Sequence, residues 1–593
     1  MKLNDCMIPT RQVIVMVLAL VFLPAVSMAA DVAADNLTVN QNATVDGTLD
    51  VTGATNLSTL DTSGAATLNS ATVETDLSVT GNATVGGTLD VTGSTSLSTL
   101  STSGTATLDS ATITNGATVG GTLGVTGNTT ITGDTTVSGS TTTGTLNAGD
   151  TAVTGDLDVT GNTITGTLEA GNTAISGTLE VTGDTTVDGA LEVTGDTAIG
   201  GALSAGTTTL NSATVTTDAS IGGNLDVTGN ATVDGTLSAG ATTLNSATIT
   251  TDASVGGNAT VTGTLNAGAT TLNSATVTTD ASVGGNLDVT GNATVDGTLS
   301  AGATTLNSAT ITNDASVGGN ATVTGTLSAG ATTLNSATVT NNASVGGTLG
   351  VTGNTTVGGT LGVTGNTTVS GTLNAGATTL NSATITNNAS VGGNATVTGT
   401  LNAGETTLES ATVTNDAGIG GNLDVTGNAT VDGTLSAGAT TLNSATITTD
   451  ASVGGNATVT GTLNAGATTL NSATVTTDAS VGGNLDVTGN ATVDGTLSAG
   501  ATTLNSATIA NDAAIGGNTT ISGTLNAGAT TLNSATVTND ASIGGTLGVA
   551  GNTTIGGTLS AGTTTLNSAT VTNNTSIGGT LDVTGNTSLT TLS

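Results

Sequence analysis

Apolar and polar residues alternate through most of the chain. Residues 225–286 divide into six-residue segments (hexads) such as LDVTGN and ATVDGT, in which positions one, three and five are Leu, Ala, Val or Gly and the others are mostly polar. A period of two is typical of a half-buried β-strand, because successive side chains point to opposite faces. Glycine followed by Asn or Thr at the end of a hexad is typical of a corner. The pattern therefore predicts short strands joined by frequent corners.

A ten-residue unit, TLNSATITTD in 243–252 and close variants elsewhere, interrupts the hexads. If each hexad and each decad forms one face, residues 225–286 hold nine faces, which would close into three triangular turns. The alternation of apolar and polar residues within the decad does not settle whether the decad forms one face or two. Leu244 is out of phase with Ala247 and Ile249, so the decad could contain a corner of its own.

Strands this short bury a core only when they stack on copies of themselves. We therefore predict an all-β fold, an elongated parallel β-solenoid built from six-residue strand repeats with interspersed ten-residue units. It should fill residues 30–593, with core repeat units over 203–580. The final residues, LDVTGNTSLTTLS, parallel LDVTGSTSLSTLS in 89–101 and stop where the earlier copy continues. We expect the chain to end within a repeat, so it is either a fragment or is capped by a partner chain.

The first residues differ from all that follow and predict a signal peptide over 1–29. Lys2 and Arg11 are its basic residues, 13–26 is apolar, and Ser27 and Ala29 are small residues at −3 and −1 of a cleavage site. A retained anchor is the alternative, but the apolar run is shorter than the ~20 residues of a spanning helix. We expect a secreted, extracellular protein associated with the cell surface, with no membrane insertion after cleavage.

The charge restricts the partners. The chain has two Lys+Arg against 40 Asp+Glu, a formal net charge of −38. Nucleic acid is excluded as a partner, because phosphate binding requires basic side chains. Such a surface favours divalent cations, and it also keeps a long polymer soluble and discourages edge-to-edge pairing.

Catalysis has few residues available. The chain has no His, and its only Cys lies in the predicted signal peptide, so carboxylates and hydroxyls alone remain. A catalytic carboxylate pair needs an enclosed pocket, and none is predicted around Asp226 and Asp234, which lie at outward positions of consecutive hexads. Glu405 and Glu409 are a local variation of the repeat and are interpreted as substitutional drift. We expect no enzyme and no catalytic or cofactor-binding residue.

Calcium is the one cofactor that the sequence allows. Asp226, Asp234, Asp288 and Asp296 recur regularly, and carboxylates with backbone carbonyls suit this hard cation. The spacing typical of calcium-binding β-rolls is missing. A solvated acidic face is the favoured interpretation of these four residues, with weak calcium binding as the alternative.

Two further hypotheses come from the threonines and the low complexity. The stretches 248–250 and 276–278 each read Thr-x-Thr, and regular arrays of that kind resemble the ice-binding surface of some antifreeze solenoids. Because the motif occurs only once in four or five faces, a continuous array is not expected. A disordered acidic surface brush is the other alternative, although abundant Thr and Val in constant phase favour folding.

The runs GNATVGGTLDVTG in 81–93 and GTLGVTGNTTVGGTLGVTGNTTV in 347–369 resemble repeats of bacterial surface adhesins and of phage tail-fibre-like β-solenoid proteins. The hexads also resemble the strands of bactofilin-type β-helices, which are cytoplasmic. The resemblance is compositional and transfers no functional residue. It implies an exported structural or adhesive fibre or stalk that makes many weak contacts with cell or abiotic surfaces, including glycans, and that could form a homo-oligomer.

Overall fold

The structure, a computed structural model, describes residues 25–28 and 31–593. In these residues every regular element is a β-strand, and the strands form a parallel β-solenoid of about 33 turns with roughly 17 residues per turn. The predicted fold class is confirmed. The predicted signal peptide lies largely outside the described residues. Only its segment Ala25–Met28 is described, as a strand whose backbone pairs with Asn42–Val45.

The chain divides into two compact units, one ending at Val295 and the other beginning at Asp296. In chain order, the strands of the first unit, β1 to β32, are Ala25–Met28, Val32–Ala34, Leu37–Val45, Leu49–Thr62, Ala66–Val73, Leu77–Val85, Leu89–Thr102, Ala106–Val119, Leu123–Val125, Thr129–Ile131, Thr135–Val137, Thr141–Thr143, Leu146–Asn147, Thr151–Val153, Leu157–Val159, Thr163–Thr165, Leu168–Ala170, Thr173–Ile175, Leu179–Val181, Thr185–Val187, Leu191–Ile199, Leu203–Ala205, Thr208–Val215, Ala219–Ile221, Leu225–Val233, Leu237–Ala239, Thr242–Ile249, Ala253–Val261, Leu265–Ala267, Thr270–Val277, Ala281–Val283 and Leu287–Val295.

The second unit has the same construction. In chain order, its strands, β33 to β64, are Leu299–Ala301, Thr304–Ile311, Ala315–Val323, Leu327–Ala329, Thr332–Val339, Ala343–Val345, Leu349–Val351, Thr355–Val369, Leu373–Ile385, Ala389–Val397, Leu401–Ala403, Thr406–Val413, Ala417–Ile419, Leu423–Val431, Leu435–Ala437, Thr440–Ile447, Ala451–Val459, Leu463–Ala465, Thr468–Val475, Ala479–Val481, Leu485–Val493, Leu497–Ala499, Thr502–Ile509, Ala513–Ile521, Leu525–Ala527, Thr530–Val537, Ala541–Ile543, Leu547–Ile555, Leu559–Ala561, Thr564–Ile577, Leu581–Val583 and Thr587–Leu592.

The smallest repeating unit of the solenoid is a face of three residues. In a strand such as Leu435–Ala437 the first and third side chains are buried and the central one is exposed. Longer strands, such as Leu423–Val431, contain two such faces on either side of a bend. This is the predicted alternation, and a corner separates each face from the next.

Three faces complete one turn, so each unit has three sides along which equivalent faces stack. In the second unit we number the sides 1 to 3, and strand pairings between successive turns identify their members. Side 1 includes 423–425, 440–442 and 457–459, side 2 includes 435–437, 451–453 and 468–470, and side 3 includes 429–431, 445–447 and 463–465.

The count of nine faces in residues 225–286 was wrong, because the ten-residue unit spans a corner. Strand Thr242–Ile249 has two faces, 242–244 and 247–249, with the bend at Asn245 and Ser246. The phase break between Leu244 and Ala247 was the sign of this corner. The repeat therefore holds eleven faces, and the same holds for its identical copy, 423–484.

Eleven faces are not a whole number of three-sided turns. The face 423–425 stacks on 440–442 on side 1, whereas its sequence-identical copy 485–487 stacks on 468–470 on side 2. Within the second unit, the repeat that begins at residue 485 thus starts on a different side from the repeat that begins at residue 423.

Along part of the solenoid the core is filled by alternating large and small residues. On one side of the first unit the first inward position reads Leu157, Thr173, Leu191, Thr208 and Leu225 in successive turns. All five are at most 5% exposed. Stacking a leucine over a smaller residue fills the narrow interior without overlap. Threonine serves as the small member, and nothing in the structure explains its choice over valine.

Candidate functional surface

The corners are held by side chains that reach from one turn to the next. Just before many strands, an Asp, Asn or Ser oxygen accepts a hydrogen bond from the backbone N–H of the equivalent residue one turn later; we call this arrangement a corner clamp. Asp416 Oδ1 accepts from Thr434 N at 2.8 Å, and Asn354 Oδ1 accepts from Thr372 N at 2.9 Å. The clamp satisfies a corner N–H that would otherwise depend on water.

Four clamps in the repeat region carry a second bond. In each, the threonine donates both its backbone N–H and its hydroxyl to one carboxylate, as Thr496 does to Asp478 at 2.7 and 2.9 Å. The backbone hydrogen bond, and then the hydroxyl, lower the pKa of the carboxyl group because both stabilise its ionised form. The pairs are Asp218–Thr236, Asp416–Thr434, Asp478–Thr496 and Asp540–Thr558.

These clamps predict acid sensitivity. A carboxyl group whose pKa is lowered by folding stabilises the fold above its unfolded pKa of about 3.9, and this contribution is lost as the pH falls through the folded pKa. Asparagine keeps the acceptor oxygen and does not titrate. A variant with Asn at the four clamp aspartates should therefore be less stable than the wild type at pH 6, approach it as the pH falls below about 4, and so lose less stability over that fall. Thermal unfolding followed by circular dichroism across this range measures the difference.

The control for this experiment removes the same number of charges without touching a corner. Asp226, Asp288, Asp424 and Asp486 sit at the centre of strand faces. Replacing these four with Asn should leave the acid-dependent loss as in the wild type. Equal pH profiles for the two quadruple variants would contradict the clamp account.

Outward-facing threonines form continuous stacks in the second unit, and all are exposed except the half-buried Thr396, Thr430, Thr458 and Thr492. Five consecutive turns each place a threonine at the centre of a face, and this happens once on each side. Ladder A, on side 3, is Thr379, Thr396, Thr412, Thr430 and Thr446. Ladder B, on side 1, is Thr441, Thr458, Thr474, Thr492 and Thr508. Ladder C, on side 2, is Thr503, Thr520, Thr536, Thr554 and Thr570.

The ladder hydroxyls are not used by the protein itself. Within the described residues no hydrogen bond from or to a ladder hydroxyl is formed, whereas a threonine at the end of a face, such as Thr572, donates to a backbone carbonyl, that of Ile555, at 3.2 Å. At one strand spacing per turn, about 4.8 Å, five threonines extend over about 19 Å. Each ladder therefore offers a row of free hydroxyl groups along the solenoid.

The ladders were not predicted from the sequence. Counted along the chain, the Thr-x-Thr stretches are too sparse for an array, whereas the faces that stack lie in successive turns. Once the decad counts as two faces, the turn length of roughly 17 residues follows, and threonines at that spacing come into register. A threonine periodicity near 17 was the available signal.

The four calcium candidates are all exposed and are not brought together. Asp226 lies between Thr209 and Thr243 in neighbouring turns, and Asp288 lies beside Thr271. In the part of the chain that the structure describes, no three residues among His, Cys, Asp and Glu are grouped so as to hold a metal ion. Calcium binding by these aspartates stays a prediction.

Glu405 lies between two shallow grooves of about 370 and 180 Å³. Its carboxylate accepts a hydrogen bond from Asn388 Nδ2 at 3.4 Å, and its backbone N–H donates to Asn388 Oδ1 at 3.2 Å. Glu409 is exposed at the end of the face that begins at Thr406. The arrangement is an ordinary corner clamp with a longer side chain added.

A search for membrane-spanning helices among the described residues finds none of sufficient length and apolarity. Comparison with known proteins identifies no relative of the chain. No protein-family model, no curated protein and no solved structure matches the chain.

Proposed function

We propose that the protein is an exported, non-catalytic structural or adhesive fibre or stalk at a bacterial cell surface. The observation that carries this proposal is the uniform use of side chains in both units. Large apolar residues are buried, with Ile164 and Leu592 the exposed exceptions among the described residues, and the outer positions repeat the same small polar residues turn after turn. Such a surface offers many equivalent weak contacts and no single distinctive site.

The same proposal includes a signal peptide, secretion and surface contact in the manner of adhesins or tail fibres. The free ladder hydroxyls and the acidic exterior support contact with hydrated cell or abiotic surfaces. The absence of Lys and Arg after residue 11 argues against nucleic acid as a partner.

Deleting residues 423–484 tests the proposal. The deletion joins Asn422 to Leu485 and recreates the natural junction of Asn484 with Leu485, since residues 485–496 repeat residues 423–434. A multivalent fibre should lose adhesion gradually with each repeat removed, as the number of contacts falls. Cells displaying the full chain and the deletion would be compared in a detachment assay under flow.

The control for the deletion is a chain in which residues 225–286, the identical copy, are removed instead. The two deletions should have equal effects. Complete loss of adhesion with only one of them would mean that a single localised site carries function, and the proposal would fail.

Ice binding is the second candidate, and the ladders are the observation that favours it. They stack exposed threonines in register over five turns, which the sequence had not led us to expect. Against it, successive ladders lie on different sides, so a flat crystal face would contact only one of ladders A, B and C. Thermal-hysteresis measurement separates this function from general adhesion.

A further inference from the structure

Ladder C has uncharged flanks in a strongly acidic protein. The residues that flank its five threonines before and after each face are all uncharged: Ala501, Asn505, Asn518, Ser522, Ser534, Thr538, Asn552, Gly556, Ser568 and Thr572. The two carboxylates in this stretch, Asp512 and Asp540, precede strands on sides 3 and 1. Asp486 occupies the same row one turn before Thr503, so a single charge borders the first end of the ladder. Beyond that end, ladder C is a hydrogen-bonding surface without charged flanks.

Ladders A and B are nearly as neutral. Each has one flanking carboxylate, Asp432 beside ladder A and Asp494 beside ladder B, and Asp424 occupies the row of ladder B one turn before Thr441. A polyanion would be repelled by the remaining surface, and a polycation would prefer the carboxylates on the other sides. The partner that suits an uncharged row of free hydroxyls is itself uncharged and rich in hydroxyl groups.

The arrangement on three sides distinguishes a flexible partner from a flat one. Ladders A, B and C begin at residues 379, 441 and 503, one 62-residue step apart, and each step moves the ladder to another side. A rigid plane reaches only one side. Separate polymer strands can occupy all three sides at once.

We propose that each threonine ladder binds a neutral polysaccharide chain laid along it, and that ladders A, B and C together let one protein molecule bridge several such chains. The inference rests on the proposed adhesive function and names its partner. Because the chain has no Trp or Tyr, and its only Phe lies in the predicted signal peptide, binding would depend on hydroxyl–hydroxyl hydrogen bonds and not on ring stacking. One ladder would bind weakly, and affinity would come from several ladders acting together.

Co-sedimentation of the full chain with microcrystalline cellulose tests the binding. The variant carries valine at all fifteen positions of ladders A, B and C and also in two shorter stacks, which are Thr243, Thr260, Thr276 and Thr294, and Thr305, Thr322, Thr338 and Thr356. Valine keeps the β-branched shape and should weaken binding by about tenfold or more, since the hydrogen bonds of all these stacks are lost. Serine at the same positions keeps the hydroxyls and should stay within about threefold of the wild type. Alanine at these positions repeats the test without adding apolar surface, and circular dichroism verifies folding of each variant.

The viscosity of a soluble neutral glucan, hydroxyethyl cellulose, tests the bridging. The wild type should raise the viscosity, and valine in ladders B and C, which leaves only ladder A of the three intact, should reduce this effect more than it reduces sedimentation with cellulose. Unchanged binding after valine or alanine substitution of all three ladders and the two shorter stacks would overturn the inference. Binding lost in 1 M NaCl or in chelator would also overturn it, because carboxylates would then carry the contact.

Two further outcomes separate this inference from the proposed function. If the wild type coats cells or glass but binds no neutral polysaccharide, the inference fails and the adhesive function stands. If it binds no surface at all, both fail. Thermal hysteresis that disappears on valine substitution, without polysaccharide binding, would assign the ladders to ice and overturn the inference.

Discussion

Replacing Gly133 with alanine is expected to destabilise the solenoid around it by about 3 kcal/mol or more. A Cβ atom at this position would lie 1.1 Å from the backbone oxygen of Asn115 in the preceding turn. Hydrogen bonds fix the two turns on both sides of the contact, from Thr132 N to the Ile113 oxygen at 2.9 Å and from Ala117 N to the Asp134 oxygen at 2.9 Å. The chain cannot move aside without breaking them.

Hydrogen–deuterium exchange over residues 113–135 measures this loss, because unfolding of a stacked repeat is local and a single melting temperature would average over all turns. Gly124 provides the control. A Cβ there would have its nearest neighbour, the backbone oxygen of Ala106, at 4.0 Å. Alanine at 124 should be neutral or stabilising by up to about 1 kcal/mol. If the two variants exchange alike, close approach of successive turns is not what requires glycine at the corners.

Valine in place of five buried threonines is expected to stabilise the second unit by about 5 kcal/mol in total. Each of these side chains is at most 1% exposed, and its hydroxyl has no hydrogen-bond partner. Valine keeps the shape and removes an unsatisfied polar group, worth about 1 kcal/mol at each site. The positions lie in separate turns, so the effects should add. They are Thr406, Thr468, Thr502, Thr530 and Thr564.

Urea unfolding of the full chain, with exchange measured turn by turn, would show the gain. The matched control is Thr165, whose buried hydroxyl contacts the Gly149 oxygen at 2.6 Å, Thr151 Oγ1 at 2.9 Å and the Thr167 oxygen at 3.0 Å. Valine at 165 should cost about 1–2 kcal/mol. Destabilisation by the five substitutions would mean that the buried hydroxyls have partners, such as internal water.

The alternation of polar and apolar residues was enough to predict the strands, their parallel stacking and their inward faces, because one rule governs every hexad. The number of faces in TLNSATITTD was harder. The five-residue separation of Leu244 and Ile249 breaks the alternation and indicated a corner, but it did not settle the face count. The pairing across turns shows that a bend at Asn245 and Ser246 separates two faces. A pattern along the chain does not reveal which residues stack.

The threonine ladders could be predicted only by knowing which residues stack across turns. Thr503 and Thr520 are neighbours because they are 17 residues apart and occupy the same side. With nine faces instead of eleven in the repeat, the stacking of these two threonines in neighbouring turns could not be predicted, and neither could the ladders. The corner clamps were missed for the same reason, since the acceptor on Asp416 and the donor on Thr434 are one full turn apart.

The eleven-face repeat also has a consequence for how such a gene can change in length. Gain or loss of one 62-residue copy keeps every inward residue inward, so the fold tolerates it, but the side on which each later face lies shifts by one third of a revolution. Identical faces of later repeats would then lie on another side. Gain or loss of 34 residues, the two-turn spacing between Leu408 and Leu442, would change the number of turns and leave each later face on the side where it was. Recombination between repeats can thus alter the number of turns and the placement of each outward surface separately.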